Sequence, residues 1–237
     1  AISVAGRTRV ASIEPRLLLG PGPSPVSERI LEAMASPTVG HLDPQFLEVM
    51  DGVGDRLRTV FGTENEMTFP VSGTGSAGME AAMVNVIEPG DTVVVGVNGV
   101  FGTRLAEMAH RMGARVVAVE ADWGRIVPAD RIVEALEENP EARLVALVHA
   151  ETSTGVHQPL EQVGRFLADR ETLFLVDAVT SLGGVPVEVD AVGIDVCYAG
   201  TQKCLGVPPG LAPITFSEKA IDRKSTRLNS SHRLRSR

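Results

Sequence analysis

Aromatic side chains are scarce in this sequence: one tryptophan, one tyrosine and seven phenylalanines in 237 residues. Its core must therefore be built mostly from Val, Leu, Ala, Ile and Met. Cysteine is scarcer still. Cys197 and Cys204 lack metal-ligand spacing, and nothing about them suggests a disulfide framework. A reduced, cytoplasmic setting is expected, with no metal. No apolar run approaches the ~18 residues of a membrane span, and the opening AISVAGRTRVASIEPR lacks the apolar stretch of a secretory signal. Positive charge is in deficit as well. The formal charge of −8 argues against a nucleic-acid surface. Neither a membrane nor a nucleic acid is expected as a partner.

What positive charge there is concentrates at one end. The last fifteen residues, RKSTRLNSSHRLRSR, hold five Arg, one Lys and no acid. They could form a basic binding arm. Their lack of apolar periodicity and their likeness to sequencing-adapter read-through favour a disordered or non-native tail. On that reading the natural chain continues beyond Asp222. Three segments are expected: an N-terminal arm and loop over 1–23, one domain over 24–222, and the tail over 223–237.

Within the domain, the Gly/Pro loop LLLGPGPSPVS precedes a short helix, ERILEAMAS, which Ser24 or Ser27 can cap. Phe46, Val49, Met50, Val53, Leu57 and Val60 then recur at helical spacing. From EMTFPV onward, short Val-rich strands alternate with helices, ending in IDVCYAG and APITFS. Strands apolar on both faces indicate a parallel sheet covered by helices, an α/β fold. Ligands in such sheets sit beyond the carboxyl ends of the strands, so the residues after each strand are the candidates.

After the first strand, SGTGSAG opens a helix with Gly-rich backbone, and Thr74 and Ser76 add hydroxyls. Exposed N–H groups at a helix start suit a phosphate. Gly73, Gly75 and Gly78 also fit the dinucleotide fingerprint, but the next strand begins at Asp91 and ends in GVNG with no acid, which weakens a nicotinamide reading. After the second strand, NGVFGTR places Phe101 where a ring can lie flat on a ligand. After the fourth comes the hydroxyl cluster HAETSTG. FLVDAVTSLGG sets Asp177 behind four apolar residues, and a buried carboxylate needs a cation or strong donors. Lys203 follows the next strand, before the Gly/Pro turn GVPPG. Each feature alone has a structural explanation. Together they are the parts of a pyridoxal phosphate site: a phosphate seat, a stacking ring, an acid for the ring nitrogen and an amine for the aldehyde.

From LLLGPGPSPVSERIL to PPGLAPITFS, about residues 16–222, the chain resembles class V aminotransferases of fold type I, and among them the alanine–glyoxylate and serine–glyoxylate (serine–pyruvate) enzymes. GPGPSPV, PTVGHLDPQF, SGTGSAGMEAA, HAETSTG, LVDAVTSLGG and GTQKCLGVPPG carry the likeness. It implies the large domain of the aspartate-aminotransferase-like fold, a three-layer α/β sandwich with a mostly parallel seven-stranded sheet, without the small C-terminal domain. It implies that Lys203 is the Schiff-base lysine and that Asp177 pairs with the pyridine nitrogen. Thr74, Gly75 and Ser76 would hold the phosphate with help from Gln202. Thr152 would bond the ring-oxygen side, and Val179 and Phe101 would pack on the two ring faces. Phe101 stands where close relatives often carry Trp. Gly22 and His41 would lie near the substrate.

The resemblance further implies a small amino donor, serine or alanine, a small 2-oxo acceptor, glyoxylate or pyruvate, and a homodimer in the full-length protein. The arginine for the substrate carboxylate and the partner's phosphate contacts belong to downstream sequence absent here. Other readings stay open. A lyase or desulfurase of the same fold type is one, although Cys204 beside Lys203 does not support a desulfurase, whose nucleophile belongs on a downstream loop. A nicotinamide-dependent oxidoreductase and an inactive fragment are the others.

Overall fold

The computed structural model describes Glu14 and residues 16–222. The basic tail, 223–237, and the start of the N-terminal arm lie outside these described residues.

Two helices come first, α1 (Glu28–Met34) and α2 (Pro44–Phe61). Asp43 starts α2 by accepting the Gln45 N–H at 2.8 Å, Pro44 fills the first turn, and Gly62 ends it in the left-handed conformation (φ 67°). There follow β1 (Met67–Ser72), α3 (Gly75–Val86), β2 (Thr92–Val97), α4 (Val100–Arg111), β3 (Arg115–Glu120), α5 (Ala129–Glu138) and β4 (Leu144–Val148). A two-stranded ribbon, β5 (Ala150–Glu151) and β6 (Val156–His157), interrupts the alternation. Then come α6 (Glu161–Leu167), β7 (Leu173–Asp177), α7 (Val189–Val192), β8 (Val196–Tyr198) and β9 (Leu211–Phe216).

Seven strands form the main sheet in the order β1-β9-β8-β7-β4-β2-β3. The run from β8 to β3 is parallel, and β9 is antiparallel to both neighbours. That makes β1 run in the same sense as the parallel strands. Six strand ends therefore meet at one edge of the sheet.

Period-2 alternation divides the core into two layers. Val94, Val145, Leu147, Phe174, Val176 and Cys197 point to one side, among residues of α5 and α6. Val93, Val95, Leu144, Ala146, Leu173, Leu175 and Tyr198 point to the other, among residues of α3 and α4. This is the expected three-layer α/β sandwich with a mostly parallel seven-stranded sheet. Fully burying one such Val or Leu contributes about 1.5–3 kcal/mol, which explains why the central strands are apolar on both faces.

Two local expectations are corrected. The stripe along α2 is only half buried, with Val49 59% and Val60 38% exposed, because that helix packs on the peripheral strands β1 and β9. Neither serine caps α1 through its side chain. Ser27 is the N-cap residue but makes no cap bond, and Ser24 is turned toward Lys203 instead.

Candidate active site

The common edge of the strands gathers the chemistry-bearing segments. β7 delivers Asp177 as its last residue, and β8 pairs with it so that Tyr198 lies directly opposite. The Asp177 carboxylate is 2% exposed. Its Oδ2 accepts the Tyr198 hydroxyl at 2.6 Å, and its Oδ1 accepts the Val179 N–H at 2.9 Å. Burial nevertheless dominates. It pushes the carboxyl up to about 6, against the lowering effect of those two bonds. The buried Glu151 raises it further and Lys203 opposes.

Lys203 sits on the loop after β8, half buried. Its Nζ donates to the Pro21 carbonyl at 2.5 Å. Burial holds its pKa below the ordinary lysine range, partly countered by Asp177 and Cys204. The N-terminal loop closes over this lysine. Ser24 donates from Oγ to the Lys203 carbonyl at 2.6 Å, and its N–H bonds the Gln202 carbonyl at 2.8 Å. Gly22 lies against the amine stem: a Cβ there would come within 2.6 Å of Lys203 Cδ and 2.9 Å of Nζ, and its φ of 127° admits glycine alone comfortably. Gly22 and Lys203 are thus brought together. His41 is exposed on the turn before α2, and none of the hydrogen bonds of this cluster reaches it.

Thr74 is the N-cap residue of α3 and makes no side-chain cap bond. The opening N–H groups of a helix lack intrahelical partners and carry its positive dipole end. Gly75 and Ser76 follow. A Cβ on Gly75 would stand 2.9 Å from Val179 Cγ2, so the helix start and the turn after Asp177 are in close contact. Gln202 completes this corner. Its Oε1 is buried and has no hydrogen-bond partner among the described residues.

Phe101 is in the first turn of α4, half buried. Its N-cap residue, Gly99, has no side chain to cap with, and Glu151 of β5 does so from across the sheet edge. Glu151 is 1% exposed. Its Oε2 accepts the N–H groups of Phe101 (3.0 Å) and Gly102 (3.2 Å), and its Oε1 accepts Ser153 N–H (3.1 Å) and Oγ–H (2.7 Å). Thr152, next along, shares a short hydrogen bond with Thr180. Cys204 donates from Sγ to the Thr180 carbonyl at 3.2 Å. The cluster thus runs from Thr152 through Thr180 to the residue beside Lys203.

Behind the site lie two imidazoles. His149 shares a hydrogen bond between its Nδ1 and Ser181 Oγ at 3.0 Å and another between its Nε2 and His157 Nε2 at 2.8 Å. Burial, then His157, lowers its pKa to about 4.

Sequence reasoning passed over Glu151 and Tyr198, and read Ser24 only as a candidate helix cap. Glu151 lay inside a motif read for its hydroxyls. Its signal was a single acid behind an apolar strand, the same signal that marked Asp177.

A family model described as aminotransferase class-V matches residues 20–233 of the chain. An alanine–glyoxylate aminotransferase of Rattus norvegicus is 44% identical over 209 residues, which is 88% of this chain and 50% of that one. An (S)-ureidoglycine–glyoxylate transaminase of Bacillus subtilis is 42% identical over 207 residues, 87% of this chain and 50% of that one. The crystal structure of an alanine–glyoxylate aminotransferase from Nostoc sp. superposes with a TM-score of 0.88 at 48% identity, covering 94% of this chain and 60% of that one. The chain spans about half the length of the curated relatives it matches.

Proposed function

This chain belongs to the class-V aminotransferase family, and on that premise we propose that the full-length protein is a pyridoxal-phosphate-dependent transaminase. It moves an amino group from a small amino acid, serine or alanine, to a small 2-oxo acid, glyoxylate or pyruvate. Glyoxylate is favoured, because the relatives from rat, Bacillus and Nostoc all carry it in their names. The observation that carries the reading is the placing, at one edge of the sheet, of a half-buried amine, Lys203, and a fully buried carboxyl, Asp177, whose ordinary partner would be a cation.

The residues present fit the cofactor on three counts. Gln202 offers an amide at this corner whose buried oxygen has no partner and whose Nε2 is a donor suited to a phosphate oxygen. The start of α3, with Thr74, Gly75 and Ser76, supplies N–H and hydroxyl donors to the same anion. Asp177 is a carboxyl whose burial is costly until a positive group faces it. Phe101 and Val179 are the apolar groups for the ring faces, and Thr152 is the hydroxyl for the ring oxygen. Gly22 and His41 would flank the substrate.

When bound, pyridoxal phosphate supplies an aldehyde that condenses with amines and a protonated pyridine that draws electrons from the carbon being deprotonated. Lys203 provides the amine for that aldehyde. Its lowered pKa increases the neutral fraction, which lets Nζ accept the α-proton of the amino acid and return it as a general acid. Asp177, its two oxygens fixed by Tyr198 and Val179, would be the ionised partner of the ring nitrogen. In this structure Nζ donates to the Pro21 carbonyl.

The exposed Leu17, Leu19, Leu31, Met34 and Leu42 support a homodimer, in which a second subunit covers this apolar N-terminal region. Among the described residues no helix is long and apolar enough to cross a membrane. The test is a visible spectrum of the purified full-length protein with pyridoxal phosphate. A protein-bound band should form, decay when alanine or serine is added and return on adding glyoxylate. A protein that forms no band, or whose band ignores every small amino acid, overturns the reading.

A further inference from the structure

Arg104 lies one turn into α4, on the side that faces the start of α3. Its Nη1 is 3.4 Å from Ser76 Oγ, and its guanidinium carbon stands 5.4 Å over the Phe101 ring. The first contact is a long, weak hydrogen bond. The second is a cation–π contact that fixes where the charge rests. Three arginines of this fold are neutralised. Arg58, Arg111 and Arg115 each pair with a carboxylate, whereas among the described residues none does so with Arg104. An arginine without a counter-charge is thus held at the mouth of the corner formed by Ser76, Gly75 and Gln202. The side chain is exposed, so it reaches that position without being forced there by packing.

Resting on the cofactor reading above, we propose that Arg104 is a further binding residue for the cofactor phosphate, donating from its guanidinium to an oxygen of the group seated at the start of α3. Ser76 is the second residue of that helix. A phosphate oxygen accepting its N–H would lie about 3 Å from Ser76 N, and the guanidinium already touches the same residue's hydroxyl. Exchanging that hydroxyl for a phosphate oxygen would turn the present contact into a bond between two ions. Such a bond is stronger than the present contact of the guanidinium with a neutral hydroxyl. Phe101 then has two tasks, to offer its ring to the cofactor and to hold the arginine that binds the phosphate. This links the aromatic position and the phosphate seat through a single side chain.

The test compares the affinities of the full-length protein for pyridoxal 5′-phosphate and for pyridoxal, which lacks the phosphate, by titrating the visible band. Arg104→Gln should weaken pyridoxal phosphate about ten-fold, the effect of losing one partly solvated charge-assisted bond, and leave pyridoxal unchanged. Inorganic phosphate should raise the melting temperature of the wild-type apoprotein, and this effect should shrink in the variant. Arg104→Lys, which keeps the charge, should recover part of the loss and guards against a folding defect in the first variant. An equal loss for both ligands would reduce Arg104 to a support for the Phe101 ring and overturn the proposal, as would no loss for either. A wild-type protein that binds neither ligand would overturn the cofactor reading itself, and this inference with it.

Discussion

Asp177→Asn separates what the carboxyl does for the fold from what it does for the cofactor. Burial raises the Asp177 carboxyl from 3.8 to about 6. A shift of about two units corresponds to roughly 3 kcal/mol between the protonated and ionised forms. In the unfolded chain the group ionises near its ordinary value, so between the two values the folded apoprotein holds the extra proton. Its stabilising share is therefore full below about 4 and is lost as pH rises through about 6. Asn carries no charge and keeps an oxygen for the Val179 N–H. Above pH 7 the apo variant should be more stable than the wild type by on the order of 1–3 kcal/mol, the lower end allowing for a weaker bond to Tyr198. By pH 4 the advantage should vanish. Urea denaturation of both apoproteins across this range reads the difference directly, and the subtraction cancels every other titrating group, His149 included. Saturating pyridoxal phosphate should reverse the order, because the ionised carboxylate then meets the protonated ring nitrogen. A stability difference that does not change with pH, or an Asn variant that gains as much from the cofactor as the wild type, would refute the reasoning.

His149 titrates in the same window with the opposite sign. Its pKa is lowered to about 4, so its contribution is full above about 6.5 and lost as pH falls; His149→Gln should flatten the acid side of the apoprotein's stability profile by roughly 3 kcal/mol in the same denaturation series. Glu151→Ala should leave the buried N–H of Gly102 and that of Phe101 without their acceptor. A loss of about 2–4 kcal/mol is expected, read as a fall in melting temperature, with weaker cofactor binding because Phe101 loses its anchored backbone. An unchanged melting temperature would show that water replaces the cap without cost.

The alternation of Val-rich strands with helices made the fold legible, because burial on both faces forces such runs. The central strands lie where the pattern placed them. Legibility fell at the margins, where α2 packs on peripheral strands and its apolar stripe stays half exposed. In the site, Asp177 and Lys203 were readable because a charged residue at or shortly after the end of an apolar strand needs a reason. Their partners were not. Tyr198 reaches Asp177 through strand register, Glu151 caps a helix some fifty residues away in sequence, and Ser24 binds the carbonyl of Lys203 across nearly the whole domain. These contacts depend on the closed fold, and no local spacing announces them. The same holds for Arg104, whose contact with Ser76 joins two helices.

Everything proposed for this site turns on Lys203 being the amine that binds the cofactor. Borohydride reduction of the full-length protein loaded with pyridoxal phosphate, followed by peptide mass spectrometry, tests it most directly. A phosphopyridoxyl group is expected on the peptide carrying Lys203, and none in Lys203→Ala, which should also lose the visible band and essentially all transamination. A group found on Lys219 instead, or a Lys203→Ala protein that keeps its band and its turnover, would contradict it.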